Sequence, residues 1–129
     1  MSLKINKELV ESLFDQAKDS PRMRQNFDLR TSSADTSQRM LNALLPGTEV
    51  PIHRHEETTE TVVCLCGRLE EIIYEKETDD APFKELSRYL LCPAEGLYGM
   101  QIPIGAWHTI RVIEPSVIFE AKDGAYKSC

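Results

Sequence analysis

Three histidines occur in the 129 residues, and two of them, His53 and His55, stand two apart in a stretch that reads as extended chain. On a strand, that spacing puts both imidazoles on one face. Glu60 follows at the start of the next apolar run, where a short turn brings its carboxylate beside the two rings. The third ring, His108, ends the segment Pro103-Ile104-Gly105-Ala106-Trp107-His108, a Pro/Gly turn that delivers a side chain at the beginning of a strand. Three imidazoles and a carboxylate suit Zn, Fe, Mn, Ni or Cu better than Ca or Mg, which prefer oxygen ligands. A His-x-His pair by itself also occurs as an ordinary surface or core pair, so the metal reading depends on all four residues together.

The elements that must position them follow from the apolar pattern. Leu9, Val10, Leu13, Phe14 and Ala17 recur at helical spacing between Asn6, a candidate N-cap, and Ser20-Pro21, which ends the pattern. The next stretch, Pro21 to Ser37, has few apolar anchors and reads as a long connecting segment. From Met40 onward about eight short strands are expected: Met40–Leu45, Glu49–His53, Thr61–Cys66, Leu69–Glu75, Phe83–Leu91, Tyr98–Ile102, Trp107–Ile113 and Ser116–Ala121. The turn signals between them, among them Gly67-Arg68 and Glu114-Pro115, are spaced as in sandwiches and small barrels, with no helix interrupting. The chain thus reads as one unit, with residues 1–37 packed on a barrel of residues 38–129. Several strands do not alternate cleanly, which implies that both faces are covered, by the helix or by a second subunit of a homodimer.

Composition removes other classes of function. Fifteen basic against twenty-one acidic residues give a net charge of −6, which disfavours nucleic acid and anionic membrane surfaces as partners. The apolar runs are far shorter than the roughly 20 residues of a membrane span. The polar N-terminus lacks the pattern of a secretory signal, so a cytoplasmic location is expected. Four cysteines, at 64, 66, 92 and 129, form no CxxC pair and no disulfide framework. Strand parity from Glu60 predicts Val62, Cys64 and Cys66 inside with Val63 and Leu65 outside. Parity from His108 puts Ile110 and Val112 inside, over an apolar pocket floor.

The run Gly47-Thr-Glu-Val-Pro-Ile-His53-Arg-His55-Glu-Glu-Thr-Thr-Glu60-Thr-Val-Val-Cys-Leu-Cys-Gly67 resembles the first signature motif of the cupin superfamily, G-x5-H-x-H-x4-E-x6-G, at every fixed position. The second motif, G-x5-P-x-G-x2-H-x3-N, is similar at Pro103, Gly105 and His108, while Gly96 lies one residue upstream and Val112 replaces the final Asn. The resemblance implies an all-β double-stranded β-helix, a jelly-roll-like barrel with one N-terminal helix. Its inward ligands to one divalent transition metal (Fe, Mn, Zn or Ni) would be His53, His55, Glu60 and His108. Ser20-Pro21-Arg22-Met-Arg24-Gln-Asn26, Gln38-Arg39-Met-Leu-Asn42-Ala43-Leu and Glu120-Ala-Lys122-Asp-Gly124-Ala-Tyr126 further resemble the WbuC-type cupin metalloproteins, named from O-antigen biosynthesis loci.

That resemblance implies a shell of Arg22, Arg24, Asn26, Arg39, Asn42 and Tyr126 around a small sugar-derived or acidic ligand. The expected activity is isomerase- or epimerase-like, in surface-polysaccharide assembly. An iron-dependent oxygenase and a non-catalytic sugar-binding or regulatory cupin are the alternatives. Arginines of the Pro21–Arg39 segment are expected over the cavity mouth, where they would hold a phosphate or carboxylate.

Overall fold

Asn6 caps the opening helix: its side chain accepts from the Leu9 amide at 3.0 Å, and α1 runs over Lys7–Asp19 before Ser20-Pro21 stops it. The computed structural model describes residues 2–124. Six strands follow among those residues: β1 (Arg24–Asp28), β2 (Ser37–Leu44), β3 (Glu60–Glu75), β4 (Lys84–Leu91), β5 (Gly99–Ile102) and β6 (Trp107–Asp123). They are hydrogen-bonded in the order β1-β2-β6-β3-β4, with β5 on β3, and every pairing is antiparallel. This is an all-β jelly-roll-like double-stranded β-helix with one helix. None of its described helices is long and apolar enough to cross a membrane.

Four readings of the sequence are corrected. Pro21 to Ser37 is not a connector throughout, because Arg24–Asp28 pairs with β2 from Arg24↔Leu44 to Asp28↔Met40. Glu49–His53 is no strand beyond one bridge, His53↔His108, since Pro51 has no N–H to give a ladder. The expected turns at Gly67-Arg68 and Glu114-Pro115 are bends inside two long strands, so four predicted strands merge into β3 and β6. A single 3-10 turn, Pro93–Glu95, also interrupts the strands.

These bends divide the fold into two layers. The first halves of β3 and β5 and the second half of β6 join β1 and β2. The second half of β3, the first half of β6 and β4 form the other layer. Leu44, Val62, Cys64, Leu69, Ile73, Leu91, Ile102, Val112 and Ile118 meet between the layers. A second cluster, Leu13, Ala17, Leu41, Ala43 and Val117, seals α1 against the outer face of the first layer.

The register shifts at Cys64/Cys66 and Cys66/Arg68, and parity is lost there. Cys64 stays in the inter-layer core, where burial pushes its thiol up to about 11, whereas Cys66 is half-buried against the helix-side cluster. Gly67 sits at the bend with φ +99°, and a Cβ there would run into Ser116 Oγ and the Pro115 carbonyl.

After the bend the inward positions of β3 are Leu69, Glu71 and Ile73, so the expected apolar floor carries a carboxyl. Glu71 is 2% exposed and its Oε2 has no hydrogen-bond partner. Burial, reinforced by the charges of Glu60 and Glu120, raises its pKa well above the ordinary value.

Gly67→Ala is expected to cost more than about 1 kcal/mol in urea denaturation. Gly96→Ala should cost less, because Gly96 has a similar positive φ with no atom near the added Cβ. Equal losses would contradict the steric account of the bend. Glu71 gives a pH prediction: its folded pKa lies above the roughly 4.3 of an unfolded glutamate, so this contribution is complete below that value and fades as pH rises through the folded pKa. Glu71→Gln should therefore lose less stability than the parent as pH rises from about 5, read as urea midpoints, and identical losses would contradict the raised pKa of Glu71.

Candidate metal centre

Backbone pairing brings the distant histidines together. His53 N donates to His108 O at 3.0 Å and His108 N returns the bond at 2.8 Å, while Gly105 N donates to His55 O at 2.8 Å. The segment carrying His53 and His55 is thereby laid along the Pro103–Gly105 turn and the start of β6. Glu60, first residue of β3, points inward on the same face as Val62 and Cys64. Ring centroids are 4.2 Å apart for His53 and His108, 5.2 Å for His53 and His55, and 5.6 Å for His55 and His108. One ligand atom from each of His53, His55, Glu60 and His108 lies within 4.8 Å of all the others.

The hydrogen bonds fix which ring nitrogens face the centre. His53 Nδ1 donates to the Pro51 carbonyl at 2.8 Å and His108 Nδ1 to the Ala106 carbonyl at 3.0 Å. A carbonyl only accepts, so these nitrogens carry protons, and Nε2 is the atom of each ring left to meet the centre. His108 Nε2 is 3.1 Å from Glu60 Oε1, two acceptors that require a proton or a cation between them. His55 Nε2 lies 3.6 Å from the same oxygen and is buried without a hydrogen bond.

Burial alone would raise the Glu60 carboxyl. The close approach of the His108 and His55 rings and the charge of Lys122 outweigh it and hold Glu60 below the usual carboxylate range. Burial lowers His53, which keeps the ring neutral. An orphaned imidazole nitrogen, two pre-aimed rings and an ionised carboxylate fit a divalent transition metal.

A cavity of about 670 Å³ opens over the centre, lined by His53, His55, Arg54, Trp107, Gln38 and Lys122 among others. Arg54 lies 4.4 Å over the Trp107 ring and pairs with Glu56 at 2.8 Å. Register places Glu60, Lys122 and Gln38 side by side across β3, β6 and β2. The next row holds Val62, Glu120 and Met40, and burial together with the Glu60 charge pushes Glu120 up to about 7.

The expected ligand shell is divided by the structure. Asn42 and Asn26 share a row with Ile118, and Arg24 lies on the same inward face one row on, donating to the Glu49 carbonyl at 2.6 Å. Asn42 Oδ1 is buried and unpartnered. Arg39 lies on the opposite face, paired with Asp35 at 3.1 Å, because its register partner is Ala121. Arg22 is exposed ahead of β1, and Tyr126, with Cys129, falls outside the described residues.

No arginine of the Pro21–Arg39 segment lines the cavity; Arg30 is bound to Asp28 at 2.8 Å, and Arg54 and Lys122 supply the cations. Sequence reasoning missed Lys122, Glu120, Gln38 and Glu71. The alternation Ile118, Glu120, Lys122 carried the signal for two of them, had parity been run through β6.

Solved structures share this arrangement of strands. A conserved protein of unknown function from Streptococcus pyogenes, SPY1581, superposes with a TM-score of 0.61 at 14% identity over 84% of this chain and 80% of that one. Oxalate oxidase in complex with the substrate analogue glycolate gives 0.64 at 14% identity, over 84% of this chain and 55% of that chain. The capsular polysaccharide assembling protein CapF from Staphylococcus aureus gives 0.63 at 20% identity, over 84% and 30%. The chain thus spans about half of the oxalate oxidase and less than a third of CapF, and at these identities what it shares with them is the cupin fold. No curated protein matches the sequence. The model of a family described as a domain of unknown function, DUF6016, matches residues 5–81, more than half of the chain, and to that family the chain belongs.

Proposed function

We propose that the chain is a metal-dependent cupin of the WbuC type in which His53, His55, Glu60 and His108 hold one divalent transition metal, Fe, Mn, Zn or Ni. Its substrate would be a small sugar-derived or acidic molecule of surface-polysaccharide assembly. The carrying observation is the 3.1 Å approach of His108 Nε2 to Glu60 Oε1 with His108 Nδ1 already committed to a carbonyl. The motif around His53 and the fold shared with CapF support the reading. Isomerisation or epimerisation is the reaction class it favours.

When bound, the metal supplies a Lewis acid for a substrate oxygen. The chain's own groups do the rest. The Pro51 and Ala106 carbonyls hold the rings of His53 and His108 in one tautomer, and Trp107 with Arg54 stacked on it walls the cavity. Glu120 is off the ligand set and lies in the row beside Lys122, where burial and the Glu60 charge push its carboxyl up to about 7. An iron-dependent oxygenase is the second reading, supported by the fold shared with oxalate oxidase and with the Escherichia coli ribosomal oxygenase YcfD, at a TM-score of 0.56 and 19% identity. Dioxygen uptake with Fe(II) separates the two.

Protein purified without a metal-affinity tag is expected to carry about one equivalent of transition metal by elemental analysis. A His53→Ala, His55→Ala double variant is expected to carry almost none while remaining folded. Full stoichiometry in that variant would overturn the ligand assignment. Small chelating acids such as citrate and tartrate should shift the melting temperature only when metal is present, and a shift independent of metal would tell against an open coordination site.

A further inference from the structure

We propose that the row Glu60, Lys122, Gln38 makes the cavity wall a receptor for a small hydroxy acid of the sugar-acid class, with Lys122 taking the carboxylate and Gln38 Oε1 a neighbouring hydroxyl. The proposal deepens the metal-cupin reading and rests on it for the placing of the ligand beside Glu60. Of the two cationic residues that line the cavity among the described residues, Arg54 is engaged by Glu56 and Trp107. Lys122 is half-buried, faces inward opposite Glu60, and makes no hydrogen bond or ion pair with any described residue. An ammonium offers donors only, so what completes it is an acceptor, and a carboxylate is the strong one, beside the Glu60 and Glu120 charges that Lys122 already faces.

Gln38 supplies the complementary requirement. It is 6% exposed and lines the cavity, and its Nε2 donates to the Gly124 carbonyl at 3.0 Å, which fixes the amide orientation and leaves Oε1 to find another donor. That oxygen is buried with no partner. A buried amide oxygen left alone is costly, and a hydroxyl is the donor that satisfies it without adding charge. Lys122 and Gln38 are register partners on adjacent strands, and such strands stand about 4.8 Å apart, a span that one short carbon chain with a carboxylate and a hydroxyl covers. A neutral sugar brings Lys122 no carboxylate beyond those of Glu60 and Glu120, and a simple fatty acid leaves Gln38 unanswered.

The test is calorimetric titration with glucuronate, glucose and hexanoate, on metal-loaded and on metal-free protein. Glucuronate is expected to bind roughly tenfold or more tighter than either of the others. Lys122→Met should erase its advantage over glucose and Lys122→Arg should restore it. Gln38→Leu should erase its advantage over hexanoate. Equal binding of the three ligands in the parent protein, or a preference that survives Lys122→Met, would overturn the proposal. If either variant fails to fold in a thermal melt, Lys122→Gln or Gln38→Met takes its place. Absence of metal from the parent protein would refute the metal-cupin reading and leave the row to be judged on the metal-free titration. Bound metal with no discrimination among the ligands would refute the row alone.

Discussion

A carboxylate oxygen and an imidazole lone pair held 3.1 Å apart inside a protein repel each other until something positive lies between them. The rest of the architecture keeps Glu60 and His108 in that position. The paired backbone bonds between His53 and His108 bring the third ring to the first two, and the carbonyls of Pro51 and Ala106 take up the Nδ1 protons that would otherwise turn inward. Once the tautomers are fixed this way, the centre presents the donor types that a transition-metal cation takes.

The bends in β3 and β6 make such a centre compatible with a packed interior. Each long strand crosses from one layer to the other, so a single strand supplies Glu60 to the first layer and Leu69, Glu71 and Ile73 to the floor. The switch needs a residue without a Cβ where β3 passes Pro115 and Ser116, and Gly67 occupies that position. α1 closes the outer face of the first layer, which leaves its inner face to carry Gln38, Asn42, Glu120 and Lys122.

Much of this was legible from residue types and spacing. The four-residue centre could be read because the motif from Gly47 to Gly67 constrains both chemistry and spacing, and the helix because Asn6 and Ser20-Pro21 mark its ends. The strand count was not legible, since Gly67-Arg68 and Glu114-Pro115 have the composition of turns whether the chain reverses there or only bends. Parity failed for Cys66 for the same reason: a bulge shifts the face without any change in the apolar pattern. Arg39 was misplaced because its surroundings in sequence say nothing of which face β2 turns to the core. Glu71 and Lys122 were passed over because a charged residue within a strand reads as exposed until its register partners are known.

The most direct measurement of the central claim is the tautomeric state of the three histidines, read by long-range proton–nitrogen correlation in metal-free protein and again after adding Zn(II). The account predicts protonated Nδ1 at His53 and His108 before metal, with the Nε2 resonances of all three rings moving on addition. An unprotonated Nδ1 at His53 or His108, or resonances that do not respond to the ion, would contradict it.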